Sequence, residues 1–106
     1  MKTFRTDIDN IIILGENDKE NSDIIKTAKQ NQYWFHLKSN PSPHAILETD
    51  EPTQNEINYV ANIVKSKSKL KNLKNVKIIY TLIKNIRLTN KLGCVQIKKK
   101  CKIVTV

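Results

Sequence analysis

The residues able to do chemistry in this sequence are crowded into one short stretch, Tyr33-Trp34-Phe35-His36 followed by Pro41-Ser42-Pro43-His44, which holds the only Trp and both His of the chain. In an extended strand Trp34, His36 and Lys38 project to one face and Tyr33, Phe35 and Leu37 to the other. One face can then anchor a core while the other offers a ring beside an imidazole. Pro41 and Pro43 fix two φ angles and remove two N–H donors, which suits a stiff loop before His44-Ala45-Ile46-Leu47 resumes an apolar run. A strand, a rigid loop and a second strand bring His36 and His44 together.

Four kinds of chemistry can be weighed against these residues. Zinc takes three or four ligands, yet Cys94 and Cys101 are remote and neither H-x-x-x-H nor C-x-x-C occurs, so no metal is expected. A phosphodiesterase or nuclease could use His36 and His44 on either side of a phosphate with Lys84 or Arg87 stabilising charge, but no Ser, Cys or carboxylate is spaced as a third member. Gly15 and Gly93 are the only glycines, so no phosphate loop or dinucleotide fingerprint exists and no cofactor is expected. Binding to an anionic polymer remains: Trp34 stacking on a base, with His36, His44, Lys84 and Arg87 bonding phosphates or base edges, best served by looped or single-stranded RNA. The plain alternatives are a core Trp34 and half-buried imidazoles that hold the loop in shape. A structural adaptor docking on an acidic protein surface is a third class.

The charge pattern favours an anionic partner. Of 106 residues with a net charge of +9, residues 1–60 hold six basic and ten acidic side chains, a balance of −4. Residues 61–106 hold thirteen Lys or Arg and no acid. A half so one-sided suits nucleic acid, or else an acidic membrane surface. No apolar run is long enough to span a bilayer and no signal peptide is visible, so a soluble cytoplasmic protein is expected. With a C-terminal hairpin turning at Lys99-Lys100, Cys94 and Cys101 fall out of register, which predicts two free thiols.

These residues must be positioned by one domain of ordinary size. Residues 1–10 read as a flexible end or an edge strand, and Ile11–Leu14, closed by Gly15, as a buried strand. Asn21 or Ser22 can cap a short helix carrying Ile24, Ile25 and Ala28. After the central strands, Thr53-Gln54-Asn55-Glu56 forms a capping box ahead of Ile57, Val60, Ala61 and Val64, the clearest helix, with Lys65 to Lys71 in its last turns. Residues 76–83 are β-branched and alternating, a strand long enough to be central, continuing into a basic end at 84–87. Further strands follow Gly93 and Lys100. The fold expected is α+β, a mainly antiparallel sheet with one long and one short helix.

At this point the sequence resembles a known family. Gly15-x-Asn17, Glu20-Asn21-x-Asp23, Tyr33-Trp34-Phe35-His36, Pro41-Ser42-Pro43-His44, Tyr80-Thr81 with Lys84, and Gly93-x-Val95 are similar, in this order, to the NFACT-R domain. That is the predicted RNA-binding module found at the C-terminus of the NFACT ribosome-quality-control proteins and also in shorter proteins. The likeness extends over residues 11–106. It implies a stand-alone RNA-binding module without catalysis, acting in translation on tRNA or large-subunit ribosomal RNA, with the ribosome as a partner. The contacts it implies are Trp34 for stacking, His36 and His44 for the sugar-phosphate, Lys84 and Arg87 for charge, and Asn17 and Asn21 for positioning. Three positions depart from the family pattern: Glu16 replaces Arg, Gln32 replaces Asp, and Pro41-Ser42-Pro43-His44 replaces Pro-Gly-Ser-His.

Overall fold

Alternating hydrophobicity in residues 33–47 produces two antiparallel strands, β3 (Tyr33–Leu37) and β4 (His44–Leu47), in register with Trp34 opposite Ile46. A computed structural model describing residues 1–106 builds a sheet outward from this pair. In chain order the remaining elements are β1 (Lys2–Arg5), β2 (Ile11–Gly15), α1 (Asp18–Thr27), α2 (Gln54–Ser66), β5 (Lys77–Leu82), β6 (Ile86–Leu88), β7 (Val95–Ile97) and β8 (Lys102–Thr105). Six strands form one sheet in the order β1-β2-β4-β3-β5-β8, every neighbour antiparallel, and β6 and β7 pair separately. The chain is therefore the α+β fold expected, with one long and one short helix.

The strand period of two divides the core into two layers. On one face Phe35, Leu37, Ala45, Leu47, Ile78 and Tyr80 pack against Ile57, Val60, Ala61 and Val64 of α2. The rings of Phe35 and Tyr80, opposed in register, stack at 5.3 Å. On the other face Trp34 and Ile46 meet Ile24 and Ile25 of α1 together with Ile83 and Ile86. Burying an aliphatic or aromatic side chain of this size contributes roughly 1.5–3 kcal/mol, so both layers are needed to hold so small a domain.

Helix α2 begins where its capping box predicts: Thr53 Oγ1 accepts from Glu56 N at 3.1 Å, and Glu56 Oε1 accepts from Thr53 N at 3.1 Å. Glu56 is fully buried, and its other oxygen accepts from Thr6 Oγ1 at 2.8 Å and Asn10 Nδ2 at 2.7 Å. The first ten residues are thereby tied to α2, and of the two readings offered for them the edge strand is present as β1. The helix ends sooner than its lysines suggest. Ser68 is buried and its hydroxyl donates to Lys65 O at 2.7 Å, drawing the backbone into a turn and leaving Lys69 and Lys71 outside the helix.

Three expectations are corrected. The cap of α1 is Asn17, whose side chain accepts from Glu20 N at 2.9 Å, and neither Asn21 nor Ser22, which are buried one turn further on. β5 is an interior strand, paired with β3 and β8, but it does not run on into 84–87: residues 83–85 form a single 3₁₀ turn that redirects the chain into β6. No hairpin turns at Lys99-Lys100: β7 pairs with β6 on the second face while β8 crosses to the free edge of β5, where Val104 and Val106 join the α2 core. Both cysteines are free thiols, as expected, although the hairpin used to reach that expectation is absent.

Candidate nucleic-acid interface

The α1 side of the sheet carries a depression where β3 and β4 end. Trp34 and His36 stand on β3 and His44 on β4, all facing the same way, with the loop of residues 38–43 closing one side and residues 91–95 the other. The cavity measures about 550 Å³. It is lined at its floor by His36, His44 and Asn21, at its rim by Lys38 and Lys91, and by Asp18 at the helix end.

Each wall has a local cause. Gly15 ends β2 against α1, and a Cβ there would lie 2.5 Å from Asn21 Oδ1 and 2.9 Å from Asn21 N, so only glycine permits the approach. That proximity lets Asn21 Oδ1 accept from His44 N at 3.2 Å, pinning the start of β4. In the Pro-Ser-Pro loop, Ser42 Oγ accepts from Leu37 N at 3.1 Å and donates to Pro43 O at 2.9 Å, so the hydroxyl fastens the loop to the end of β3. Opposite, Gly93 has φ of 78° and donates its N–H to Ser22 Oγ at 2.7 Å, with α1 so close that a Cβ would meet Asp18 Cα at 2.8 Å. These last partners are 71 residues apart.

The aromatic groups are locked in a chain of contacts. Trp34 Nε1 donates to His44 Nδ1 at 3.1 Å, and the His36 ring stacks on the indole at 5.7 Å with an interplanar angle of 7°. The two imidazoles meet edge to face at 4.6 Å. Because an indole N–H only donates, His44 Nδ1 is bare and its proton sits on Nε2. Because a carbonyl only accepts, His36 Nδ1, 2.6 Å from Leu37 O, carries the proton and its Nε2 is bare. Burial pushes the His44 pKa down to about 3, assisted by the neighbouring His36. Burial also lowers His36, against an upward pull from the Leu37 carbonyl. Both rings are thus neutral around pH 7.

Trp34 is 1% exposed, so the expected base-stacking role is corrected: wedged between Ile46, Ile83 and the α1 isoleucines, its indole has no free face and serves as the floor that orients both histidines. Of the other residues singled out, Asn21, His36 and His44 do converge. Asn17 is consumed as the α1 cap, and the exposed Lys84 and Arg87 do not line the cavity, Arg87 donating to Gln96 Oε1 at 3.1 Å. The 3₁₀ turn is what carries those two cations away from β3. Lys38 was legible, since it shares the strand face of Trp34 and His36. Gly93 stood out in the Gly93-x-Val95 motif and Ser22 as a candidate cap, but their pairing, and with it the place of Lys91, had no local signal, because it is a contact across most of the chain.

The cations of the acid-free half remain unneutralised. All four ion pairs lie within residues 1–23: Met1 with Glu20, Lys2 with Glu16, Arg5 with Asp9 and Lys19 with Asp23. Glu16, which departs from the family pattern, is therefore engaged with Lys2. No group of three or more His, Cys, Asp or Glu side chains is arranged to hold a metal, and no helix is long and apolar enough to cross a membrane.

Comparison with known proteins follows the same lines. The sequence is 26% identical over 91 residues to the Rqc2 homolog RqcH of Bacillus subtilis, an alignment covering 85% of this chain and 16% of that protein. The fold superposes on the solved C-terminal part of the fibronectin/fibrinogen-binding protein from Streptococcus suis with a TM-score of 0.92, covering 99% of this chain and 44% of the other at 23% identity. The chain therefore spans less than half of either relative. Residues 1–99 match the family model described as the NFACT protein RNA binding domain, and the chain belongs to that family.

Proposed function

We propose that this domain binds RNA through the cavity between the β3–β4 end and residues 91–95, as a binding module without catalysis of its own. The observation that carries the reading is a pair of neutral imidazoles on the floor of a cavity flanked by Lys38 and Lys91, on a chain whose acid-free half has no ion pair. Hydrogen-bonding groups inside and unneutralised cations outside suit a sugar-phosphate chain. The family match and the RqcH relative support an RNA-binding module in ribosome-associated quality control; tRNA or large-subunit ribosomal RNA is the ligand we propose, the ribosome the partner and the cytoplasm the location. Asn17, Lys84 and Arg87 act in this reading as a helix cap and as outlying charges that extend the basic surface.

Neutrality of the pair also bears on the nuclease alternative. Acid–base cleavage of a phosphodiester by two histidines requires one to be an imidazolium at working pH, and burial lowers the pKa of both His36 and His44, which disfavours that form.

The test is a titration of labelled single-stranded RNA and of tRNA over a range of salt. Affinity is expected to fall steeply with salt, and replacing Lys38 and Lys91 together by Ala to shrink the slope of log affinity against log salt by about 1.4, at about 0.7 per phosphate contact on a single strand. A salt-independent affinity, or a slope untouched by both substitutions, refutes the reading. Release of shortened RNA without metal, abolished by His44→Ala, favours the enzyme instead.

A further inference from the structure

The two Nε2 atoms have a consequence for ligand choice. Every buried side-chain nitrogen and oxygen has a hydrogen-bond partner, yet neither His36 Nε2 nor His44 Nε2 has one within the protein, so both open onto the cavity. His44 is only 4% exposed, yet its partnerless Nε2 is not among the fully sealed atoms. Their roles are opposite: with Nδ1 of His44 taken by the Trp34 N–H and Nδ1 of His36 donating to Leu37 O, the cavity receives one N–H donor and one bare acceptor. The ring centroids lie 4.6 Å apart, edge to face, and both residues line the same cavity.

This arrangement discriminates between parts of a nucleic acid. A phosphate offers only acceptors, and the lone pair of His36 Nε2 would face its oxygens. A base in a single strand is commonly read with a stacking platform as well as edge contacts, and the large aromatic side chain beside the imidazoles, Trp34, is sealed. A ribose hydroxyl donates and accepts at one atom, and within RNA it is the group that DNA lacks.

We infer that the His36–His44 pair reads a ribose 2′-hydroxyl, His44 Nε2–H donating to its oxygen and His36 Nε2 accepting its proton, while Lys38 and Lys91 hold the adjoining phosphates. This rests on the RNA-binding reading and makes it selective: the domain distinguishes RNA from DNA at the sugar.

The experiment compares four twelve-nucleotide single strands of one sequence, with ribose, 2′-deoxyribose, 2′-fluoro and 2′-O-methyl sugars, on the intact domain and on His36→Phe, which keeps a ring stacked on Trp34 but removes the acceptor. Ribose is expected to bind about 10–100-fold more tightly than the other three, as for loss of one hydrogen-bonding group from a site built around it. The 2′-fluoro strand keeps an RNA-like sugar pucker without an O–H, so its weakness assigns the preference to the hydroxyl. His36→Phe is expected to bring ribose to the deoxyribose level with an unchanged salt slope. Equal binding of ribose and deoxyribose, a preference retained by 2′-fluoro, or a preference surviving in His36→Phe overturns the inference while leaving RNA binding intact. Absence of salt-dependent binding to any strand overturns both. Should His36→Phe fail to fold, the sugar series on the unaltered domain decides.

Discussion

Lowering the pH from 7.5 to 5.0 should weaken the fold by about 2 kcal/mol through His44 alone. Its imidazole is neutral in the folded state because burial, assisted by His36, pushes the pKa to about 3, whereas in the unfolded chain it titrates near the ordinary value of 6.5. Below 6.5 the unfolded state therefore binds a proton that the folded state refuses, so stability falls as pH falls. One proton of difference corresponds to about 1.4 kcal/mol per pH unit, and 1.5 units separate 6.5 from 5.0. His36, lowered by burial, acts in the same direction. Carboxylates intrude only later. Glu20 is lowered chiefly by the N-terminal ammonium, while at Glu56 burial pushes upward but bonds from Asn10, Thr53 and Thr6 prevail, so both lose their contribution as pH drops through and below about 4.5. The assay is urea unfolding followed by tryptophan fluorescence at pH 7.5, 6.5, 5.75 and 5.0. His44→Asn, whose Oδ1 can accept the Trp34 N–H but cannot titrate, should lose about one proton of pH dependence. Stability that is flat over this interval, or a His44 ring seen by ¹⁵N resonance to protonate near pH 6 while the domain stays folded, refutes the geometry described for the pair.

Three substitutions test the supports of the site. Trp34→Phe removes the indole N–H and part of a sealed ring, leaving His44 Nδ1 without its donor, and should cost roughly 2–4 kcal/mol in denaturant unfolding; a loss under about 0.5 kcal/mol would contradict the bond's role. Glu56→Gln sets an amide against the Thr53, Thr6 and Asn10 donors and should destabilise by about 2–3 kcal/mol, with faster amide exchange in residues 1–10 as the specific sign. Gly15→Ala forces a methyl against Asn21 and should cost about 1–3 kcal/mol while weakening RNA binding, since α1 cannot shift without releasing His44 N; unchanged stability and affinity would show that the approach is not tight.

Local order was legible in residue types alone. The alternation of residues 33–37 announced a strand with Trp34 and His36 on one face, the Thr53–Glu56 pair announced the start of α2, and the absence of acids after residue 60 announced an anionic partner. Even the convergence of His36 and His44 followed from a stiff loop between two strands. These signals act within a few residues, where backbone period and capping chemistry are strong.

Tertiary structure decided what those residues face. Whether Trp34 met solvent or core depended on α1, which precedes its strand, and on the remote β6–β7 pair, both covering that side of the sheet. The 3₁₀ turn at residues 83–85 carried Lys84 and Arg87 away from the cavity, while Gly93, donating to Ser22, brought Lys91 to the rim. A strand's period states which side chains share a face; what closes over that face depends on contacts between segments distant in the chain, which local propensity does not encode.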